Sequence, residues 1–170
     1  MQDPLTLYKL IVLFMLDQVD FPLTRVQIFD FVLEKGYATF FTLQQAIAEL
    51  MDAGLVEGRA TRNSTQLSMT NAGKETLSYF GNRISPSIKD EIRQYFEENN
   101  LTMRNEVSTQ ADYYKMTSGE YAAHMSVKDN GEPLIELTLT VPTEEGAIRL
   151  CDNWQKKNQD IYAYVMKQLM

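Results

Sequence analysis

The first half of the chain carries apolar residues at the three- and four-residue spacing of helices. Residues 5–19 are apolar almost all round, which predicts a helix buried on every side. Thr24 is expected to cap a second helix with Gln27 as its capping-box partner, and Gly36 is expected to end it. The buried stripe predicted for this second helix is Val26, Ile28, Phe29, Val32 and Leu33.

A third helical segment is followed directly by a glycine stop and a hairpin pattern. Thr42 is expected to cap this helix, and Gly54 is expected to end it in the left-handed conformation. Two short extended runs, residues 55–61 and 65–69, follow on either side of a hinge at residues 62–64. The apolar stripe of the helix is Leu43, Ile47, Leu50 and Met51. This succession predicts the recognition helix and wing of a winged-helix domain.

Two further helices are predicted after the hairpin. A fourth helix is predicted from Thr70, and Ser85 with Pro86 marks the start of a fifth. The fifth helix is amphipathic over residues 87–99, which is expected of a helix that joins two modules. Residues 101–116 are predicted to be extended, with a weak pattern that leaves their register open.

The last third of the chain changes from helical to alternating periodicity. Residues 120–128 and 134–141 predict two antiparallel strands joined at Asn130 and Gly131, a strong hairpin signal. The alternation predicts a sheet with one wet and one dry face. Thr143 is expected to cap a long final helix that covers the dry face.

These patterns together predict an α+β protein. A winged helix-turn-helix domain is expected over residues 1–83 and a linker helix over residues 84–100. A small antiparallel β-meander covered by a long helix is expected over residues 101–170, where it would serve dimerisation or sensing.

Composition narrows the function classes. The net charge is −7, and the first 83 residues carry 7 Lys and Arg against 9 Asp and Glu. Neither half is basic, which counts against nucleic acid because phosphate neutralisation supplies most non-specific affinity. The longest apolar run, residues 10–16, is too short to span a bilayer, and the N-terminus lacks the basic start of a signal peptide. A single cysteine allows no internal disulfide, so we expect a cytoplasmic protein without a membrane partner.

The first half of the chain resembles the winged-helix regulators of the PadR and MarR groups. The resemblance rests on the helix over residues 43–53, on the stop at residues 54–56 and on the return from the hairpin over residues 67–73. In that return, residues 69–73 are similar to the familiar L-T-x-x-G junction. The whole chain also resembles a bacterial domain-of-unknown-function family of predicted winged-helix regulators, a resemblance that implies no established activity.

The resemblance implies a DNA-binding transcriptional regulator that reads duplex DNA through its third helix and wing, as a homodimer. Glutamine can bond adenine in the major groove, and threonine can contact a thymine methyl group. Arginine on a wing reaches phosphate or the minor groove. The DNA-binding residues expected on this basis are Thr39, Thr42, Gln44, Gln45 and Glu49 on the third helix and its approach, Arg59 and Arg62 on the wing, and Arg25 and Lys35 at flanking phosphates.

An alternative of another class is a winged-helix adaptor that binds proteins and not DNA. Glu49 and Asp52 favour it, because carboxylates on the third helix repel phosphates, and so does the acidic balance of the chain. A small-molecule effector of the C-terminal module is a further possible partner. Aromatic residues that could line its pocket, form core or form a subunit interface are Trp154, Tyr162, Tyr164, Tyr113 and Tyr114.

The remaining candidates for chemistry have simple structural interpretations. His124, the single histidine, is expected on the wet face of a strand, and Cys151 on the apolar side of the last helix, as a small hydrophobe. Glu144 and Glu145 suit a helix start better than an acid–base pair. The chain has no phosphate-binding glycine loop or nucleophile elbow, and its Cys and His are too few for a zinc cluster. We therefore expect no enzyme, no cofactor and no metal.

Overall fold

The computed structural model describes residues 3–60, 64–129 and 132–170. Over these residues it has a mixed α+β architecture with seven helices, one of them a 3-10 turn, and two antiparallel three-stranded sheets. The chain divides into two compact units, residues 1–107 and residues 108–170. Each unit has its own sheet and its own hydrophobic core.

The first unit is mostly helical. Its elements are α1 (Pro4–Asp17), β1 (Leu23–Thr24), α2 (Arg25–Lys35), α3 (Phe40–Asp52), β2 (Val56–Ala60), β3 (Thr65–Met69), α4 (Asn71–Phe80), a 3-10 turn (Gly81–Arg83) and α5 (Pro86–Ser108). The strand order is β1-β3-β2, with β3 antiparallel to both neighbours. Helix α1 lies at the centre and packs against α3, α4 and β3. All seven residues from Leu10 to Leu16 are buried, which confirms the expected all-round burial of this helix.

Helix α2 has the predicted ends but a different buried face. Thr24 and Gln27 form the capping box, and Gly36 ends the helix at φ 71°. Val26, predicted to be buried, is 59% exposed, and Phe31 is buried in its place. Phe31 packs on an aromatic ring of α5 with a centroid distance of 4.5 Å. The predicted stripe is confirmed at Ile28, Phe29 and Val32 and is wrong at Val26 and at Leu33, which is 39% exposed. The buried face is displaced because α5 covers the side of α2 that carries Phe31.

Helix α3 begins three residues earlier than predicted. Thr39 is its N-cap: the Thr39 hydroxyl accepts from the Thr42 backbone N–H at 3.3 Å, and the Thr42 hydroxyl accepts from the Thr39 N–H at 3.0 Å. Thr42 is therefore the inner partner of a capping box and not the cap itself. Phe40 and Phe41, which precede the predicted cap, form the start of the first turn of α3.

The junction between the hairpin and α4 closes on the end of α3. Gly54 adopts φ 73°, as predicted, and its carbonyl accepts a bond from the Thr70 hydroxyl at 2.7 Å. The Thr70 N–H donates to the Leu55 carbonyl at 3.1 Å. A Cβ at Gly73 would lie 2.2 Å from that same carbonyl oxygen. The sequence Met69-Thr70-Asn71-Ala72-Gly73 thus fits α4 onto the turn that follows α3.

Helix α5 is longer than the sequence pattern suggests. The prediction that residues 101–116 are extended is wrong for residues 101–108, which are helical. The buried residues Ile92, Phe96, Met103 and Val107 continue one face at spacings of four and seven, across a polar stretch that hides the period. Residues 86–100 of the predicted linker helix therefore lie within α5, residues 84 and 85 precede it, and the two compact units divide at residue 107.

Side chains of the first unit fasten α5 at both ends. The buried amide of Gln27 donates to the Met103 carbonyl at 3.4 Å, and that of Gln66 donates to the Val107 carbonyl at the same distance. Near the other end, the Tyr37 hydroxyl donates to the Glu91 carboxylate. Burial and this hydrogen bond raise the pKa of Tyr37. Of the last four carbonyls of α5, which have no partner within the helix, that of Val107 is thus satisfied by a side chain of the first unit.

The second unit is a meander covered by one helix. Its elements are β4 (Thr109–Lys115), β5 (Tyr121–Asp129), β6 (Glu132–Val141) and α6 (Glu144–Leu169). The strand order is β4-β5-β6, and the pairing of β5 with β6 closes at Asp129 and Glu132. The predicted hairpin residues Asn130 and Gly131 lie outside the described residues. Trp154 of α6 is buried against the sheet and donates to the Ser126 carbonyl at 3.1 Å.

We expect Gly73→Ala to lower the free energy of unfolding by about 1–3 kcal/mol, the usual cost of overpacking. The added methyl group would meet the backbone carbonyl of Leu55, which cannot rotate away. Gly81→Ala is the matched control, because its nearest neighbour is a Leu77 methyl group at 3.4 Å. Urea unfolding followed by circular dichroism measures both, and an equal effect of the two substitutions would contradict the assignment.

Candidate nucleic-acid interface

The exposed face of α3 is neutral at its centre. The buried residues of this helix are Leu43, Ala46, Ile47 and Leu50. The side turned to solvent carries Phe41, Gln44, Gln45, Ala48 and Asp52. The helix contains no lysine or arginine, so any phosphate contact must come from flanking residues.

The hydroxyl groups of Thr39 and Thr42, the two threonines predicted to face DNA, form hydrogen bonds within the capping box at the start of α3. Their hydroxyl groups lie 2.9 Å apart and serve the backbone of the capping box. Thr39 is exposed and Thr42 is half-buried. Their main role is therefore to define where α3 begins.

Glu49 is paired, which the sequence did not reveal. The Lys9 ammonium group of α1 lies 2.6 Å from the Glu49 carboxylate, and the Gln45 amide donates to the same carboxylate at 3.4 Å. The hydrogen bond from Lys9, followed by that from Gln45, lowers the pKa of Glu49. The carboxylate that argued most strongly against DNA thus has its charge compensated by α1 and lies on the α1 side of α3.

Two exposed aromatic residues, Phe40 and Phe41, lie at the start of α3 and are called the aromatic step below. Phe41 is 81% exposed, and its ring centroid is 5.7 Å from that of Phe40, which in turn is 5.1 Å from that of Phe29. The Arg25 guanidinium lies 5.2 Å from the Phe29 centroid, a cation–π distance. Arg25 thus lies beside this step, together with the exposed Val26.

The other predicted cations lie on elements that flank α3. Lys35 is exposed in the last turn of α2. Arg59 is exposed on β2, opposite Gln66 of β3. Because Gly58 is the β2 residue that faces Met51 of α3, the side chain of Arg59 is on the other face of the sheet. Arg62 lies outside the described residues.

The candidates in the second unit have structural surroundings. His124 is exposed, its Nδ1 is 2.9 Å from the Thr138 hydroxyl, and its Nε2 is 3.9 Å from the Glu136 carboxylate. Cys151 is buried in the core, and Glu144 lies in the first turn of α6, as predicted.

The aromatic residues of this unit are divided between environments. Trp154 is in the core, and the hydroxyl of the half-buried Tyr113 donates to Glu144 at 3.0 Å. Tyr114 and Tyr164 are exposed, and Tyr162 is half-buried. Trp154 and Tyr113 thus lie in or against the core, and Tyr114 and Tyr164 lie at the surface.

The first unit also has two shallow grooves that the sequence did not suggest. They have volumes of about 270 and 340 Å³ and share Asp17 and Lys74 as lining residues. Within the described ranges no group of three or more His, Cys, Asp or Glu side chains is arranged to hold a metal ion. In the same part of the chain, every helix is too short or too polar to cross a bilayer.

Comparison with known proteins gives one match. A family model described as "Domain of unknown function (DUF4364)" matches residues 8–169, which covers most of both units. The chain belongs to the DUF4364 family. No curated protein and no solved structure matches it. Membership of DUF4364 fits the whole-chain resemblance to a domain-of-unknown-function family, and it assigns no activity.

We expect the pKa of the Glu49 carboxyl group, followed by NMR titration, to lie below the ordinary value for glutamate, and to rise in Lys9→Met. Because this pKa is lower in the folded than in the unfolded chain, the pairing stabilises the fold above the unfolded pKa. That contribution is lost as the pH falls through the folded pKa. Lys89→Met removes a lysine elsewhere in the same unit and should leave the titration unchanged. An unchanged Glu49 titration in Lys9→Met would refute the pairing.

Proposed function

We propose that the first unit is a winged helix, with α3 as the recognition helix and β2 and β3 as the wing. The order α1-β1-α2-α3-β2-β3, with a sheet ordered β1-β3-β2, supports this assignment. The tight turn over residues 36–39 between α2 and α3 supports it as well.

We further propose that the protein is a transcriptional regulator that binds duplex DNA in the cytoplasm. The observation that carries this proposal is the pairing of Glu49 with Lys9, because it leaves the solvent face of α3 neutral around Gln44. An amide on such a face can bond a base edge, and a neutral face does not repel phosphates. The fold alone would be only an analogy, since winged helices also bind proteins.

Phosphate contacts in this proposal come from residues that flank α3. Arg25 at the start of α2 and Lys35 at its end lie next to α3, and Arg59 lies on β2 with its side chain on the face of the sheet turned away from α3. All three are at least partly exposed. Arg62, in the hinge of the predicted wing, would add a fourth cation. Together they would supply the backbone contacts that position the neutral helix in the major groove.

We expect the protein to retard duplex DNA in a gel shift, with affinity that falls as salt rises. Arg59→Ala should weaken binding to all sequences and reduce the slope of log affinity against log salt by about 1. Arg149→Ala, an exposed arginine of the second unit, is the matched control and should leave the slope unchanged. Absence of retardation at any salt, with protein shown to be folded, would overturn the proposal.

We propose that the second unit forms a homodimer. Helix α6 packs mainly on β4 and β5, and a helix about 10 Å wide cannot cover three strands that span about 14 Å. The dry face of β6 is therefore incompletely covered, with Leu139 45% exposed. No residue of α6 after Trp154 is buried, yet its last turns carry Val165, Met166 and Leu169. A second copy of the chain would cover the dry face of β6 and bury the apolar side chains at the end of α6.

We expect Leu139→Lys to convert a dimer into a monomer, because it would place a charge in the proposed apolar interface. Light scattering coupled to size-exclusion chromatography measures the mass. Tyr114→Lys is the control, since Tyr114 is 56% exposed but lies on the opposite face of the sheet, beside Ala122. A wild-type mass that is monomeric, or one that Leu139→Lys leaves dimeric, would contradict the interface.

A protein-binding adaptor is the second candidate function. The aromatic step at the start of α3 favours it, because Phe40, Phe41 and the neighbouring Val26 expose apolar surface that a protein partner would bury. A stoichiometric protein partner recovered by the wild type and lost in Phe41→Ala would support the adaptor, provided that the gel shift is negative.

A further inference from the structure

Three uncharged side chains lie in a row on the solvent face of α3. Phe41, Gln44 and Ala48 are exposed and are separated by three, four and seven residues, so they lie within about one sixth of the helix circumference. Two are apolar and one is an amide. None of them carries a charge, and none is a buried residue of the core.

Each of these side chains has a preferred base edge in the major groove. A glutamine amide bonds adenine in bidentate fashion, and apolar side chains such as phenylalanine and alanine contact the methyl group of thymine. Guanine is read chiefly by arginine or lysine, and α3 contains neither. Phe41 and Gln44 therefore match A·T base pairs. A carboxylate can accept from the amino group of cytosine, but on this face it is present only at Asp52, toward the other end of the helix.

The carboxylates of α3 do not alter this match. Glu49 is bound to Lys9 and lies to one side. Asp52 shares the solvent face with Phe41, but eleven residues separate the two, or about 16 Å along the helix axis. Recognition helices contact base edges mainly through their N-terminal residues. The first turns of α3, where Phe41 and Gln44 lie, are thus the part that would enter the groove.

We infer that α3 reads a half-site rich in A·T pairs, with Gln44 on an adenine and with Phe41 on a thymine methyl group. This inference rests on the proposed DNA-binding function and names the class of sequence that the same surface selects. It also gives the exposed Phe41 a role in a DNA complex, since the thymine methyl group would cover part of an aromatic ring that is otherwise in water.

The first experiment selects duplexes from a random pool with the full-length wild-type protein. Enrichment of A·T pairs supports the inference, and enrichment of G·C pairs overturns it while leaving DNA binding intact. Absence of any bound duplex overturns the proposed function itself, and this inference with it. The two failures are therefore distinguishable in one experiment.

The second experiment separates base-edge reading from DNA shape. Replacing thymidine by deoxyuridine in a selected duplex removes only the methyl group, and we expect affinity to fall about fourfold for each methyl group contacted. Replacing A·T pairs by inosine·cytosine pairs keeps the minor-groove pattern and changes the major-groove pattern, and we expect a larger loss. Binding that tolerates both replacements would show reading through the minor groove and overturn the inference.

Two variants assign the contacts. Gln44→Ala should weaken binding to the selected duplex by roughly 5- to 100-fold and leave non-specific binding unchanged. Phe41→Ala should weaken it less and abolish the effect of deoxyuridine at one position. Tyr79→Ala, an exposed aromatic of α4, is the matched control and should behave as wild type. Thermal unfolding of each variant shows whether the fold is kept, and a deoxyuridine effect that is undiminished in Phe41→Ala would overturn the assignment of that residue.

Discussion

Helix α1 has no solvent-facing side over residues 10–16, and the arrangement of the first unit follows from that constraint. A helix that is apolar all round must be covered all round, and α3, α4 and β3 supply part of that cover. The buried side of α3 is therefore fixed by α1, and so is the side that remains in water. The charge of Lys9, at the more exposed N-terminal part of α1, then compensates Glu49. One packing requirement thus determines both the orientation and the electrostatics of the candidate recognition helix.

The end of α3 is held by a second close contact. The left-handed turn at Gly54 places the Leu55 carbonyl where Thr70 and the first turn of α4 reach it. Only glycine at position 73 allows that approach, because a Cβ there would overlap the carbonyl oxygen. Strands β2 and β3 lie between Gly54 and Thr70 in the chain, so the contact between these two residues holds the start and the end of the hairpin together. This explains in physical terms why a glycine follows threonine by three residues after the hairpin.

Local signals in the sequence predicted most element types and failed where the deciding contact is distant. The capping box of Thr24 and Gln27 and the left-handed glycines lie within a few residues of what they stabilise. The start of α3 was predicted three residues too late, because Thr42, which suits an N-cap, is the inner partner of a capping box that begins at Thr39. The length of α5, the exposure of Val26 and the pairing of Lys9 with Glu49 all depend on partners tens of residues away. No local period carries that information.

The acidic net charge of the chain is compatible with selective DNA binding if the phosphate contacts come from the few cations near α3. A recognition helix without lysine or arginine, with up to four flanking cations per subunit, would bind DNA weakly when the sequence is wrong, because few counterions are released. Specific affinity must then come from base contacts and from the doubling of phosphate contacts in a dimer. Only a small fraction of such a protein would be held at the large excess of non-specific sites. Its ratio of specific to non-specific affinity would depend mainly on hydrogen bonds and methyl contacts to the bases. An acidic chain and a selective DNA reader are therefore compatible, provided that the second unit supplies the dimer.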